Sequence, residues 1–407
     1  MTLFSKSELE AVSSVLISGS QSKPETVLAS AALSHLCEPG DTFMGRLFEK
    51  MGSLALLAAL VERLDEAGMG ERLGQDFVQE LEDAYEQQFS QLWTNATERW
   101  APRLSKNQAI ESVDQIAALG GKLVGWNCEE YPQGLNDLDA GKPPVIWLLG
   151  NPELLADVPR VSVVGTRSSN RYGTSVAADI SAVAVQNRIV TVSGGAIGID
   201  AVVHQSTLAL EGDTIAVMAG GLGKLYPSSN LQLLRRIAQT GLLVAEQPPA
   251  VSVSKWRFLM RNRLIAALGD ATVVVQAGRT SGALSTGKHA LSIHRPVAVV
   301  PGPIDSAFSV GCHDFLNANL EHDVQLLARP QALPSLLGMG SEQIIATAGL
   351  GALEKRALDA FSDQGMQAWE VQRLAGLTVK EIQIALGSLV LSGHVEREGT
   401  HYVKLTK

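Results

Sequence analysis

The sequence has few cysteines, few aromatic residues and no long uncharged apolar run. Its three cysteines, Cys37, Cys128 and Cys312, are odd in number and far apart, so they form neither a zinc-ligand spacing nor a disulfide framework. No apolar run reaches the ~18–20 uncharged residues that a membrane span requires. The opening stretch, MTLFSKSELEAVSS, carries acids before any apolar core, unlike a secretion signal. We therefore expect a reduced, cytoplasmic protein without a membrane span.

Charge is distributed unevenly along the chain. The 407 residues are 45% hydrophobic and 18% charged, a globular composition of a length that suggests two or three domains. The net charge of −9 arises entirely within residues 1–100, so the rest of the chain is neutral on balance. Residues 251–300, however, contain seven Lys or Arg and a single acid, Asp270. A basic middle indicates an anionic partner, and an ordinary solvated surface is the alternative.

The apolar pattern changes near residue 126. Residues 1–125 place apolar residues at helical spacings, as in SLALLAALVERL, and predict an N-terminal helical domain. The following region instead contains short β-branched runs, which predict strands. These runs are VIWLLG (145–150), VSVVG (161–165), RIVTVSGG (188–195), TIAVMAGG (214–221), LLVAE (242–246), ATVVVQA (271–277) and PVAVVPG (296–302).

From residue 161 onward, helical segments separate these strands, which start roughly 25–29 residues apart. Such alternation predicts an α/β domain with a parallel, doubly wound sheet over residues 126–326. Residues 327–346 contain Pro and Gly and are interpreted as a linker. Residues 347–407 show helix, helix, helix and then a hairpin around Glu398-Gly399, the element order of a small winged-helix domain.

Two polar runs follow predicted strands, where an open α/β sheet binds its ligands. The first, VSVVGTRSSNRYG, offers Gly165, the Thr166 hydroxyl and the Arg167 guanidinium before a helix. Glycine permits close approach, amides at a helix start favour an anion, and arginine binds phosphate bidentately. The second, VSGGAIGIDAVVHQ, places Gly194 and Gly195 at the same kind of junction. A turn without ligand is the alternative for both.

Catalytic and metal-binding motifs receive little support. Asp200 and His204 are four residues apart on a predicted helix, but no third metal ligand is evident, so a hydrogen-bonded structural pair is favoured. Ser193 lacks a nucleophile elbow. The run MAGGLGKLYPSSN has Leu225 after Gly-Lys and therefore does not match a P-loop. The residues themselves therefore support neither a metal site nor ATP hydrolysis.

The most informative run is KWRFLMRNRLIAALG, residues 255–269. Trp256 and Phe258 alternate with basic residues, among them Lys255, Arg261 and Arg263. Cations for phosphates beside aromatic faces for bases are typical of single-stranded nucleic-acid binding. An amphipathic helix whose arginine stems pack on the sheet is the alternative. The run RTSGALSTGKHA adds hydroxyl groups that would complete the same rim.

These motifs, in this order, resemble the DNA-processing protein A family (DprA, also called Smf). The resemblance covers residues 125–325 most strongly, and the segment EEYPQGLNDLDAGKPPVIWLLGNPELL resembles the family's lead-in. It implies an extended Rossmann-like domain, single-stranded DNA binding, a homodimer and a RecA-type recombinase partner that is loaded on DNA during natural transformation and recombination. The resemblance also implies no enzymatic turnover and no nucleotide cofactor. Together with the basic aromatic run, it nominates these DNA-binding residues: Gly165, Thr166, Arg167, Gly194, Gly195, Lys255, Phe258, Arg261, Asn262, Arg263, Ser281 and Thr286.

Two other classes of function stay open at this stage. A nucleotide-processing enzyme with a related fold would resemble the phosphoribohydrolases, but VVPGPIDSAF lacks the second glycine and the glutamate of their motif. A ligand-sensing regulator would use the C-terminal domain on duplex DNA. Its predicted recognition helix, however, offers few base-reading side chains beyond Lys380 and Gln383.

Overall fold

The computed structural model describes residues 3–126, 128–322, 324–339, 351–362, 365–391 and 394–405. The chain divides into two compact units, with the boundary between Met339 and Gly340. The first unit contains the N-terminal helices and a large sheet, and the second contains the C-terminal elements.

Eight helices form the N-terminal region. Helix α2 is buried along most of its length, consistent with its apolar sequence PETVLASAALS, and packs between α1, α4 and α8. Helix α3 begins after Asp41, whose Oδ1 accepts a hydrogen bond from the Met44 amide (3.1 Å). The helices are α1 (Lys6–Val15), α2 (Pro24–Ser34), α3 (Thr42–Met51), α4 (Ser53–Val61), α5 (Glu66–Leu73), α6 (Gln75–Tyr85), α7 (Phe89–Trp100) and α8 (Lys106–Ala118).

A nine-stranded sheet follows, in the order β1-β2-β6-β5-β4-β3-β7-β8-β9. The seven strands from β6 across the sheet to β9 pair in parallel. At the other edge, β1 pairs with β2 and β2 pairs with β6 in antiparallel orientation. The strands are β1 (Lys122–Gly125), β2 (Val145–Gly150), β3 (Arg160–Val164), β4 (Val190–Ser193), β5 (Thr214–Met218), β6 (Leu242–Ala245), β7 (Ala271–Val274), β8 (Val297–Val299) and β9 (Val324–Leu326).

Helices connect the parallel strands and cover the sheet. On one face, Val161 and Val163 of β3 join Ala177 and Ile180 in one buried apolar cluster, as the alternation of side chains along a strand requires. These helices are α9 (Arg171–Gln186), α10 (Ile199–Ala209), α11 (Leu231–Thr240), α12 (Lys255–Leu268), α13 (Gly282–Ser292), α14 (Val310–Ala318) and the short α15 (Leu333–Leu336).

The sheet has a topological switch point between β3 and β7. Strands β4, β5 and β6 add to one side of β3, and the chain then returns to add β7 on the other side. Val164 pairs with Val274, so the carboxyl ends of β3 and β7 lie side by side. Helices α9 and α13 leave this edge in opposite directions along the sheet, which opens a crevice where such folds bind ligands.

The second unit is small and has its own apolar core. It consists of α16 (Ala352–Asp359), β10 (Met366–Gln367), α17 (Ala368–Ala375), α18 (Val379–Leu391), β11 (Val395–Glu398) and β12 (His401–Lys404). The three strands form an antiparallel sheet in the order β10-β12-β11. Val371, Ile382 and Leu386 are among its buried residues. The predicted helices and hairpin are therefore present, and the winged-helix assignment itself stays a prediction.

The seven predicted strands are all present, and those from residue 161 onward are parallel, as predicted. Strand β2, which precedes them, is antiparallel to β6, so the sheet as a whole is mostly parallel. The sequence-based predictions differ from the structure at two places in the first unit. Strand β1 lies inside the range 1–125 that was expected to be helical. Leu333 and Leu336, within the expected linker, are buried in the core of the first unit, and the remainder of that linker, from residue 340, lies outside the described residues.

Candidate nucleic-acid interface

A pocket of about 440 Å³ lies at the switch point, above the carboxyl ends of β3 and β7. Four elements contribute to its wall: the turn after β3, the start of α10, one side of α12 and the start of α13. Its polar and aromatic lining residues are Thr166, Arg167, Asp200, Phe258, Arg261, Asn262, Thr280, Ser281 and Thr286. Residues that are up to 120 positions apart in sequence thus meet at one edge of the sheet.

Two glycines allow the loops around the pocket to approach each other. Gly198 has a φ of +85°, and a Cβ atom there would lie 2.3 Å from the Thr166 carbonyl oxygen. At Gly194, a Cβ atom would lie 2.5 Å from Nη2 of Arg261 and 2.7 Å from Oδ2 of Asp200. Any side chain at these positions would displace the turn that contains Arg167 or the charged groups below it.

Two buried side chains of opposite charge lie at the floor of the pocket and share the backbone of Gly194. Arg261 and Asp200 are 5% and 6% exposed. Nη1 of Arg261 donates to the carbonyl oxygens of Gly194 (2.7 Å) and Val217, while Oδ2 of Asp200 accepts from the Gly194 amide (3.2 Å). Burial lowers the pKa of Arg261 to about 10, against the opposing effect of Asp200. Burial also raises the pKa of Asp200, and Arg261 limits this rise.

The rim carries an exposed arginine and two aromatic rings. The Arg167 guanidinium lies over the Phe258 ring, 5.2 Å from its centroid. The Tyr226 ring lies 5.8 Å from that of Phe258, with the planes inclined by 60°. Arg167 is exposed and belongs to the pocket lining, so its guanidinium is accessible to an anion that enters the pocket.

The start of α13 forms the opposite wall. Ser281 caps this helix, and its Oγ accepts from the Ala283 amide (3.3 Å). Nδ2 of Asn262 donates to the Gly282 carbonyl oxygen (3.1 Å), which ties α12 to the start of α13. Thr286, 1% exposed, lies one turn further along the helix. The positive end of the helix dipole thus faces the pocket and favours negative charge there.

The structure brings most of the nominated residues together. Eight of them line the pocket: Gly165, Thr166, Arg167, Phe258, Arg261, Asn262, Ser281 and Thr286. Gly194 lies directly below, bonded to Asp200 and Arg261. Lys255 is exposed at the start of α12, close in sequence to the rim but outside the lining. Sequence reasoning did not nominate Tyr226 or Asp200 for the site, although both belong to the runs it singled out.

Two nominated residues, Arg263 and Gly195, do not line the pocket, contrary to the prediction. Arg263 is 4% exposed and forms an ion pair with Glu246 (2.5 Å), whose carboxyl also accepts from the Gly40 amide. The arginine therefore fixes α12 to the N-terminal helical region. Gly195 has a φ of +65° and abuts Leu234, and its carbonyl oxygen accepts from Asn230 (3.0 Å).

The positive charge of residues 251–300 is partly neutralised by acidic residues from other parts of the chain. Glu38 neutralises Arg257 through two hydrogen bonds of 2.9 and 3.0 Å. Asp314 pairs with Arg279, and Asp137 pairs with Arg295. The partner acids come from other parts of the chain, so counting charges within one segment overestimates its positive surface. Positive potential at the pocket consequently depends on Arg167 and the helix starts.

The Asp200–His204 pair and Ser193 have structural roles, but not the pairing that was expected. His204 bonds through Nδ1 to Thr214 Oγ1 (2.7 Å), not to Asp200, and burial lowers its pKa to about 3. The Ser193 hydroxyl donates to the Val163 carbonyl oxygen (2.7 Å). Within the described ranges, no cluster of three His, Cys, Asp or Glu side chains is arranged to hold a metal ion. None of the helices described is both long and apolar enough to cross a membrane.

Fold and site together define an α/β protein with a mostly parallel sheet and a pocket at its switch point. The sequence model of the family "DNA recombination-mediator protein A" matches residues 122–326. A putative DNA processing protein DprA from Mycobacterium tuberculosis is 38% identical over 295 residues, 70% of this chain and 74% of the relative. The chain belongs to the DNA recombination-mediator protein A family.

Two further likenesses extend over smaller parts of the chain. The DNA processing protein DprA of Bacillus subtilis is 36% identical over 217 residues, 53% of this chain and 71% of the relative. The X-ray structure of DprA from Streptococcus pneumoniae superposes with a TM-score of 0.52 at 29% identity, over 59% of this chain and 80% of that one. Its agreement with the present fold places the nine-stranded sheet in the architecture of this family.

Proposed function

We propose that this protein binds single-stranded DNA in the switch-point pocket and mediates recombination by loading a RecA-type recombinase on the bound strand. The observation that carries this proposal is the exposed Arg167 guanidinium stacked on Phe258 at the mouth of the pocket. Membership of the family supports the role in recombination.

The phosphate would bind at the rim. Arg167 presents charged N–H groups, and the positive end of the α13 dipole at Gly282 lies in the same pocket lining. Charged hydrogen bonds of this kind contribute about 1.5–3 kcal/mol each. Phosphate binding releases counterions, so affinity should fall as salt rises. Lys255, exposed on the first turn of α12, would extend the positive rim along the strand.

The base faces would bind the aromatic rings. Phe258 and Tyr226 form a tilted pair at the rim, and Tyr226 is 47% exposed. Base stacking on such rings contributes about 1–3 kcal/mol per base and accepts every base. In a duplex the bases are already stacked inside the helix, so these rings favour single strands.

Arg261 acts as a positioning residue in this proposal. Its Nη1 donates to the carbonyl oxygens of Gly194 and Val217, and the side chain is 5% exposed, so little of the guanidinium is accessible to a phosphate. It would fix α12, and with it Phe258, relative to the loop after β4. Asn262 would fix the start of α13 in the same way.

The remaining roles follow from the same proposal. We expect the protein to act in the cytoplasm as a homodimer and without catalytic turnover. The second unit would be a winged-helix domain with a regulatory or protein-binding role. Its helix α18 exposes Val379 and Ile384, at 61% and 56%, rather than a row of base-reading side chains.

Fluorescence anisotropy with labelled oligothymidylate and its duplex, across a salt series, tests the binding. The wild type should prefer the single strand, and Arg167→Ala should lose about 10–100-fold in affinity, equivalent to one or two charged hydrogen bonds. Arg72→Ala is the matched control, because Arg72 pairs with Glu62 on the N-terminal helices. Absence of binding to either form at low salt would refute the proposal.

Recombinase loading needs its own assay. A RecA-type recombinase should form filaments faster on a strand coated with single-strand-binding protein when this protein is present. Arg167→Ala should lose most of that stimulation, whereas Arg72→Ala should keep it. Strand binding without any stimulation would restrict the function to DNA protection.

A further inference from the structure

An acid of the N-terminal helical region contacts helix α12 outside the pocket. Glu38 accepts two hydrogen bonds from Arg257, one from Nη2 to Oε1 (2.9 Å) and one from Nε to Oε2 (3.0 Å). Arg103, which follows α7, contacts Oε1 of the same carboxylate through Nη1 (3.2 Å). Two arginines from distant parts of the chain thus hold a single carboxylate.

The two arginines have the arrangement of an anion site. Arg257 binds the carboxylate with the fork of N–H groups that also binds a phosphate. Its Nη1 donates to the Ser252 carbonyl oxygen (2.7 Å), a contact that orients the guanidinium without Glu38. The buried acid Glu246, whose pKa Glu38 raises, pairs with Arg263. Two positive charges therefore face one negative charge at this site.

The contact is accessible to solvent, so another anion can reach it. The side chains of Glu38 and Arg103 are 37% and 46% exposed, and that of Arg257 is 20% exposed. Partly exposed ion pairs contribute little to stability, because water screens the charges and solvates them after separation. A phosphate that replaced the carboxylate would leave both arginines paired with an anion, and the free carboxylate would be hydrated.

The contact also lies next to the rim of the pocket. Arg257 directly precedes Phe258 on the first turn of α12, and Lys255 on the same turn is exposed. Trp256, between the two cations, is 55% exposed. Residues 251–269 contain no acid that would repel a phosphate. A strand that leaves the pocket past Phe258 would bring its next phosphates towards Arg257.

We propose that Arg257 and Arg103 form a second phosphate site outside the pocket. The Glu38 carboxylate occupies this site in the free protein, and a backbone phosphate of the bound strand takes its place in the complex. This inference rests on the proposed function and deepens it, because the phosphate belongs to the same strand that binds at Arg167. Glu38 competes with DNA for the two arginines and thereby lowers the affinity of the protein for the strand.

Substitution of the two partners should change strand binding in opposite directions. Glu38→Gln removes the competing charge and should tighten binding of labelled oligothymidylate about 3–10-fold, whereas Arg257→Gln removes a phosphate-binding group and should weaken it by a similar factor. Arg257→Gln should also reduce the slope of log affinity against log salt by about 0.7, the value for one phosphate of a single strand. Fluorescence anisotropy across a salt series measures both quantities.

A purely structural contact predicts a different pattern. Either substitution would then loosen α12 from the N-terminal helices, so both variants would weaken strand binding or both would leave it unchanged. Glu49→Gln is the matched control, because Glu49 on α3 pairs with Lys142 (2.7 Å) and also joins the N-terminal helices to the sheet domain, at a residue outside α12. This control should bind the strand like the wild type.

Two results would overturn the inference while the proposed function survives. They are unchanged or weaker strand binding by folded Glu38→Gln, and unchanged strand binding by folded Arg257→Gln, with folding verified by the melting temperature. If Glu38→Gln does not fold, Glu38→Asp decides the same question, because its shorter side chain cannot keep both hydrogen bonds to Arg257 and should also tighten strand binding. Absence of strand binding by the wild type would instead refute the proposed function.

Discussion

Replacement of Arg261 by methionine separates a positioning role from direct contact with DNA. The substitution keeps the length of the side chain but removes the cation beside Asp200 and the donors to Gly194 and Val217. Each hydrogen bond from a charged donor contributes about 1.5–3 kcal/mol, and the opposite charge near Arg261 would stay buried without compensation. Asp200, at 6% exposed, would be that charge. We therefore expect a loss of about 3–5 kcal/mol in the free energy of unfolding.

Urea denaturation at pH 7.5 measures this loss, with the double variant Arg261→Met/Asp200→Asn as its control. Removing the second charge should restore about 1–3 kcal/mol, since coupled neighbours deviate from additivity by that amount. A direct phosphate contact predicts the reverse pattern, in which Arg261→Met weakens DNA binding tenfold or more without changing stability. A loss of less than 1 kcal/mol, or strict additivity in the double variant, would refute the positioning role.

Three further expectations concern acid stability, the aromatic rim and the loop after β4. Burial lowers the pKa of His204 to about 3 in the folded state, whereas an unfolded histidine titrates near 6.5. Between these two pH values the unfolded state binds more protons than the folded state. The free energy of unfolding should therefore fall by up to ~1.4 kcal/mol for each pH unit below 6.5. Urea midpoints measured at several pH values should fall less steeply below pH 6.5 for His204→Gln than for the wild type. An equally steep fall would show that His204 does not cause the acid sensitivity. Phe258→Ala should weaken binding of the single strand by about 1–3 kcal/mol without changing the salt dependence of binding, whereas Phe258→Tyr should bind like the wild type. An altered salt dependence with unchanged affinity in Phe258→Ala would contradict base stacking. Gly198→Ala should displace the turn at Thr166 and lower DNA affinity about as much as Arg167→Ala, and wild-type affinity would show that this turn does not position Arg167.

The strands of the sheet were predictable because buried parallel strands are continuous apolar runs. Val161–Val164 and Ala271–Val274 are of this kind and lie beside each other at the switch point. Strands β1 and β9 were not predicted, because KLVG and VQL are short and lie at the two edges of the sheet. Strand β1 has only four residues and β9 has three, of which two are exposed, so both sequences are too short to carry a clear apolar pattern.

The pocket was predictable from its motifs, but the role of each arginine was not. Arg261 and Arg263 are two residues apart, and a sequence pattern treats both as exposed cations. The structure buries both and gives each a different acid, Asp200 for the first and Glu246 for the second. Asp200 lies on α10 and Glu246 directly follows β6, so the tertiary fold decides which charges each arginine meets.

The most direct test of the proposed DNA site is a crystal structure of the protein with a hexathymidylate. The predicted result is one phosphate within hydrogen-bonding distance of the Arg167 guanidinium, with a base in contact with the Phe258 ring. DNA bound to the second unit or elsewhere on the first, with the pocket at Arg167 and Phe258 unoccupied, would contradict the account.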